Sequence, residues 1–389
     1  MPALDSPSRS SAHPRFRHTT RFGVLSTYPP TVCGLARFTA GLSSALSVLG
    51  SEVGVVRVAD GSPSESGRVV AELVNGSVCS VAACTDSLND CDVAVIQHEY
   101  GIYGGVDGAE VLDIIDGLRV PVIVVAHTVP KTPTPHQLWV LGTIASKADR
   151  VVVMSETAGE RLCGDYAVGR GKVVMIPHGA TVPRVSGAKR GSRPTILTWG
   201  LLGPGKGLER VIDAMSALRD VPDRPRYLVV GQTHPKVFAA TGEAYRESLI
   251  ERARQNGVAD SVSFDARYHG VAALTTLIQS AAVVALPYDS VEQVTSGVLV
   301  DAIAGGRPVV ATAFPHAVEM LSGGAGIVVG HDDPAALVSA LRRVLTQPRL
   351  AGTMAAEARR LAPQLAWPAV AGAYAQLGQV VLAERRARV

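Results

Sequence analysis

The segment Thr195-Ile-Leu-Thr-Trp199-Gly200-Leu-Leu-Gly203-Pro204-Gly205-Lys206-Gly207-Leu208-Glu209 decides how this chain is read. A short apolar run, a glycine-rich turn carrying one lysine, and the start of an amphipathic stretch form the strand–loop–helix unit of a parallel α/β domain. Backbone N–H groups of such a loop, with the positive end of the following helix, hold phosphate. Gly200 to Lys206 also satisfies G-x-x-x-x-G-K. A P-loop then needs Ser or Thr to hold Mg²⁺, but Gly207 stands there, and no strand ending in a magnesium-binding Asp follows. NTPase and kinase chemistry are therefore set aside. The expectation is a metal-independent diphosphate site, with Lys206 supplying charge and the loop around Gly205 supplying amide donors.

Working outward, Val/Ile-rich runs alternate with longer amphipathic ones, as in sheets buried on both faces by helices. Upstream, strands are expected at 22–26, 53–58, 93–97, 121–126, 150–154 and 172–176, with helices at 36–49, 109–118, 136–146 and 158–166. Downstream, strands are expected at 195–199, 226–230, 261–264, 282–286, 308–311 and 326–329. The downstream helices are expected at 209–218, 244–256, 271–280, 296–304 and 334–345, with further helix from about 350 and a new helix begun by Pro368. Between the halves, 182–193 reads VPRVSGAKRGSR, a linker composition. The fold class is thus α/β, two Rossmann-like doubly wound domains facing a central cleft. The expected division is a disordered tail at 1–20, a first Rossmann-like domain at 21–185, a second at 194–365 and a C-terminal segment at 366–389.

Composition narrows the partners. With 37 basic against 34 acidic residues, the charge is too even for nucleic-acid binding to be the main task. Five cysteines with no C-x-x-C pair argue for reduced thiols and against a zinc site. The first 20 residues are polar and lack the apolar core of a signal peptide, and no long apolar run follows. A cytoplasmic protein is expected, with at most peripheral membrane contact through its N-terminal arginines.

Ligands of open parallel sheets bind beyond the carboxyl ends of strands, so the loops there are the candidates. Gly34, just before a helix, either lets a phosphate or sugar approach or is a turn glycine. His98 and Glu99, followed by a glycine-rich turn with Tyr103, suit a polyhydroxyl ligand, or simply stabilise that turn. A metal there lacks a third ligand at suitable spacing. His127 emerges from a very apolar strand and could donate to a sugar hydroxyl, or be a satisfied structural histidine. His178 ends the last strand of the first half and could merely cap the hinge. Thr295, Ser296 and Gly297 open a helix whose free N–H groups face an anion. Asp301, eight residues after Gln293, could accept from ribose hydroxyls, or be a solvated helix carboxylate.

These residues carry a resemblance. Asp301-Ala-Ile-Ala-Gly-Gly-Arg-Pro-Val-Val-Ala-Thr312 resembles the "EAMACGKPVVAT" phrase of retaining glycosyltransferases of family 4, which have the GT-B fold. The match spans most of the chain. The resemblance implies that Asp301 binds the donor ribose, Lys206 the diphosphate, and Thr295, Ser296 and Gly297 the phosphates through backbone donors. Gly34 looks like the family's glycine near those phosphates, and His127 like the histidine beside the transferred sugar. The C-terminal segment would be a helix crossing back onto the first domain.

The chain also departs from the family pattern. Gln293 takes the first acidic position, with Glu292 beside it, and Leu201 stands where the family often has Arg. A subgroup with "GLL…GKG", "THP…GEAYR" and "QxTSG" is more similar, through Gly200–Gly207, Thr233–Pro235 with Gly242–Arg246, and Gln293–Gly297. The implied activity is hexose transfer from a nucleoside-diphosphate sugar to a carbohydrate or lipid-linked acceptor hydroxyl, with retention and no cofactor. GDP-mannose is the preferred donor and UDP-glucose the second. A sugar-nucleotide epimerase, a glycan phosphorylase and a non-catalytic glycan- or partner-binding protein are the alternatives.

Overall fold

The computed structural model describes residues 19–183 and 192–388. The tail expected at 1–20 lies almost wholly outside the described residues, as does 184–191 of the linker. The first half runs β1 (Arg21–Ser26), α1 (Gly34–Val48), β2 (Glu52–Val58), β3 (Val69–Leu73), α2 (Val78–Asn89), β4 (Val93–His98), α3 (Val111–Gly117), β5 (Val122–Ala126), α4 (Pro135–Lys147), β6 (Arg150–Val153), α5 (Glu156–Gly164) and β7 (Val173–Met175). The second half begins with β8 (Thr195–Trp199), α6 (Leu208–Ala217), β9 (Arg226–Val230), α7 (Pro235–Thr241), α8 (Ala244–Gln255), β10 (Val262–Asp265) and α9 (Val271–Ser280). It continues through β11 (Val283–Leu286), α10 (Gly297–Ala304), β12 (Val309–Thr312), α11 (Pro315–Leu321), β13 (Gly326–Val329), α12 (Pro334–Thr346), α13 (Pro348–Leu365) and α14 (Trp367–Arg388).

Both sheets are parallel. The seven-stranded sheet is ordered β3-β2-β1-β4-β5-β6-β7 and the six-stranded one β10-β9-β8-β11-β12-β13. Strand order reverses between β1 and β4, and again between β8 and β11, which opens a crevice at the carboxyl ends of each pair. The central strands earn their places by composition: β4, β5 and β11 are buried along their whole length.

Helix starts are set locally. Thr134 and Gln137 form a reciprocal capping box with Pro135 at the first helical position of α4, while Ser155 caps α5 and Ser296 caps α10. The linker side and the C-terminal side of the chain meet at one point. Ala180 N–H donates to the Leu365 carbonyl at 2.7 Å and Trp367 N–H to the Ala180 carbonyl at 3.2 Å. The Trp367 indole fits against two glycines, its ring 2.3 Å from where a β-carbon on Gly41 would be and 2.2 Å from the same position on Gly179. Beyond it, α14 crosses onto the first domain, where Val370, Ala371, Tyr374 and Val381 join a core with Phe22, Phe38 and Val95. Each fully buried side chain of that kind is worth about 1.5–3 kcal/mol.

Candidate functional site

The glycine loop after β8 is tightly wound. Gly200, Gly205 and Gly207 have φ of +132°, +88° and +61°. A β-carbon on Gly207 would lie 1.8 Å from the Pro287 carbonyl oxygen, so no side chain fits there. That is a steric reason for the missing P-loop hydroxyl. The loop is pinned to the next strand end by Asp289 N–H, which donates to the Gly205 carbonyl at 3.0 Å.

Lys206 rises from this loop, its ammonium 4.5 Å from the centroid of the buried Tyr288 ring. Among the described residues its ammonium makes no ion pair or hydrogen bond, and burial pushes its pKa down. Tyr288 also interacts with Ser296, whose hydroxyl oxygen accepts from Leu299 N–H at the start of α10. Ser296 N–H donates to His316 Nδ1 at 2.9 Å, and Gln293 Nε2 donates to the Thr295 carbonyl at 2.8 Å. The lysine, the capping serine and the free end of α10 therefore gather at the β8/β11 crevice.

Asp301, one helical turn further along α10, opens on a cleft of about 540 Å³ lined by Arg37, Phe38, His178, Val271 and Trp367 among others. Burial lifts its carboxyl to about 7, partly offset by the Arg37 guanidinium. Arg37 comes from α1 of the opposite domain, reaches the His269 carbonyl at 2.8 Å and lies 5.2 Å from the Tyr268 ring centroid.

The first domain supplies the facing wall. His127 Nε2–H donates to Gln97 Oε1 at 2.6 Å, and the His127 and His178 rings each meet Phe38 edge-on at 5.0 Å. His178 Nδ1–H donates to the Gly179 carbonyl, which leaves its Nε2 against Gly297, 2.9 Å from where a β-carbon would stand. Burial holds all of His98, His127 and His178 below the ordinary imidazole range, His98 and His178 at about 4. They are neutral at pH 7. Gly34, exposed at the start of α1, has nothing within 4 Å of the space a side chain would take.

Other candidates are placed differently from the expected pattern. Tyr103 is in the core, its hydroxyl donating to the Gln97 carbonyl at 2.7 Å. His98 is fully buried, and both its ring nitrogens, with Gln97 Nε2 and Thr295 Oγ1, lack a partner among the described residues. Glu99 accepts from Thr128 Oγ1 at 2.6 Å and from Tyr100 N–H at 3.1 Å. Glu292 accepts from Thr132 Oγ1 at 2.8 Å and Lys131 N–H at 3.3 Å, so its carboxylate spans to the first domain. Arg161 reinforces the same crossing by donating to the carbonyls of Val129 and Glu292. Arg37, Phe38 and Trp367 were not expected in the site. Arg37–His269 and Phe38–Trp367 join positions more than 200 residues apart, for which no local pattern gives a signal.

Among the described residues no helix is long and apolar enough to cross a membrane. The family model for glycosyl transferases group 1 matches residues 193–347, and that for glycosyltransferase family 4 matches residues 32–182. The chain is 29% identical over 275 residues to a D-inositol 3-phosphate glycosyltransferase of Actinosynnema mirum, covering 64% of each, so it spans under two thirds of that relative's length. Sucrose-phosphate synthase from Thermosynechococcus elongatus superposes with a TM-score of 0.77 at 20% identity, covering 94% of this chain and 100% of that one. Anabaena HepE in complex with UDP and glucose superposes with a TM-score of 0.71 at 16% identity, covering 92% and 99%. On both halves, the chain belongs to the group 1, family 4 glycosyltransferases with the GT-B fold.

Proposed function

We propose that this chain transfers a hexose from a nucleoside-diphosphate sugar to an acceptor hydroxyl with retention of anomeric configuration, without a bound metal. The observation that carries the reading is Lys206, a partly desolvated cation without a counter-ion among the described residues, set beside the free end of α10. A leaving diphosphate fits both. The anomeric C–O bond to the diphosphate breaks while the acceptor oxygen bonds to the same face, and the acceptor proton passes to a phosphate oxygen. Lys206 and the Gly297 amide at the start of α10 take up the developing charge, while the Ser296 amide, expected to join them, is already committed to His316 Nδ1. Asp301 accepts from the ribose hydroxyls, and His127 faces the transferred sugar. Such charge stabilisation, and not a protein nucleophile, provides most of the rate.

Two donors are carried forward. Mannose from GDP-mannose is the preference because many similar bacterial sequences look like mannosyltransferases. UDP-glucose is supported by the likeness to HepE, which was crystallised with UDP and glucose. The test is stabilisation and turnover with each donor in the presence of a chelator, followed by NMR of the product anomer. Retained configuration with one donor supports the proposal, whereas inversion, or turnover only with added metal, refutes it.

A further inference from the structure

The paired segments Thr233-His-Pro235 and Gly242-Glu-Ala-Tyr-Arg246 have no role in the site described so far. They form one buttress. Thr233 Oγ1 and Arg246 Nε both donate to Glu243 Oε2, at 2.5 and 3.0 Å, and Arg246 Nη2 donates to the Gly231 carbonyl at 2.9 Å. Leu202 N–H donates to the Gln232 carbonyl and His234 N–H to the Leu202 carbonyl, which locks the turn onto the glycine loop.

This network fixes where two further nitrogens go. His234 Nδ1 accepts from Lys236 N–H at 3.2 Å, so the neutral ring carries its proton on Nε2. Burial and the Lys236 and Lys206 cations hold its pKa down, which keeps the ring neutral. Lys236 reaches across the cleft, its Nζ 3.2 Å from where a β-carbon on Gly101 would stand. It makes no ion pair within 4 Å among the described residues. Burial raises the pKa of the Glu99 carboxyl, an effect the Lys236 cation partly offsets, and that carboxylate already accepts from Thr128 and Tyr100. Cationic Lys206 and Lys236 therefore share one rim with His234. Lys206 and α10 suffice for one diphosphate, while Lys236 points to the domain opposite, through which an acceptor enters.

We propose that His234 and Lys236 form a second anion subsite, separate from the diphosphate site, that holds a phosphoryl group on the acceptor. The proposal rests on the transferase reading above. The phosphoryl group could belong to a free sugar phosphate or to a lipid headgroup, and the chemistry recognised is the same.

The experiment is calorimetry on the whole chain saturated with UDP or GDP, titrated with inorganic phosphate, glucose 6-phosphate, and vesicles containing phosphatidylglycerol. Phosphate or glucose 6-phosphate should bind on top of the nucleotide. Lys236→Gln should weaken that second event about tenfold, as for loss of one charged hydrogen bond, and leave nucleotide affinity within about twofold. His234→Asn, which can keep the bond to Lys236 N–H, should also weaken it. Tighter binding of glucose 6-phosphate than phosphate assigns a free sugar phosphate, and vesicle binding lost in Lys236→Gln assigns a lipid. Nucleotide binding with no second anion event, or one equal in Lys236→Gln, overturns the subsite. Failure of every nucleotide to bind instead sinks the transferase reading. The subsite is then judged on phosphate alone, where an unchanged affinity in Lys236→Gln overturns it as well.

Discussion

The Lys206 ammonium lies 4.5 Å from the centre of the Tyr288 ring, and Tyr288 in turn contacts Ser296, the residue that starts α10. Two sources of positive potential, a side chain and a helix end, are thus held in fixed relation by one buried phenol. A desolvated cation in such a place costs folding free energy that a bound anion returns.

Lys206→Met should accordingly separate stability from function. The variant is expected to melt at the same temperature as the parent or higher, because an unpaired, partly buried charge is gone. Turnover of the nucleotide sugar should fall about 10²–10³-fold, as for loss of one group that stabilises transition-state charge. Thermal melts with and without UDP, beside initial rates, read both effects. A destabilised variant of normal rate would contradict the assignment.

Asp301 provides a pH test with a definite sign. Its folded pKa, raised to about 7, exceeds the ordinary aspartate value. Stability from this group is fully present below about pH 4 and is lost as pH rises through 7. Asp301→Asn should therefore melt higher than the parent at pH 8 and converge with it near pH 4. If the ionised carboxylate binds ribose, parent UDP affinity should fall below pH 7, and the Asn variant should bind weakly at every pH. Melting curves and calorimetry across pH 4–8 check both trends.

Glu292 and Thr132 meet across the cleft at 2.8 Å. Glu292→Ala and Thr132→Val should each raise the donor KM modestly. In the double variant the effects should not add, with a coupling of about 1 kcal/mol for a partly exposed charged hydrogen bond. Additive effects would place the Glu292 carboxylate on the donor instead of on the domain contact.

Gly207→Ala should cost about 2–4 kcal/mol, from a positive φ together with a clash against the Pro287 carbonyl. Gly34→Ala meets open space and should leave stability within about 0.5 kcal/mol, as at other surface positions, while weakening UDP binding if phosphate approaches there. Denaturant melts of the pair distinguish a structural glycine from a ligand-facing one.

The strands most legible in the sequence are those buried on both faces. The expected 195–199 coincides with β8, and 93–97, 121–126 and 282–286 fall within one residue of β4, β5 and β11, each buried throughout; 271–280 coincides with α9. The missed elements lack that signal. Edge strand β3, VVAEL, buries only Leu73 fully, and α2 buries little beyond Cys84, Thr85 and Leu88. Helices α7 and α11, seven residues each and opened by proline, read as loop. At the site, loop glycines and the lysine could be read because their backbone chemistry is local. The inward turn of Tyr103, the outward reach of Glu292 and the arrival of Arg37 could not, because each is decided by a partner distant in sequence or by folding of a glycine-rich loop.

The Trp367 indole, wedged between Gly41 and Gly179 beside the Ala180–Leu365 and Trp367–Ala180 hydrogen bonds, makes the two covalent crossings between the halves act as one pivot. Sliding of one lobe past the other would tear both backbone bonds and displace a ring for which there is no second seat. Rotation about the pin breaks none of them. The freedom left is angular, so the jaws widen most at the rim farthest from Trp367 and least beside Asp301.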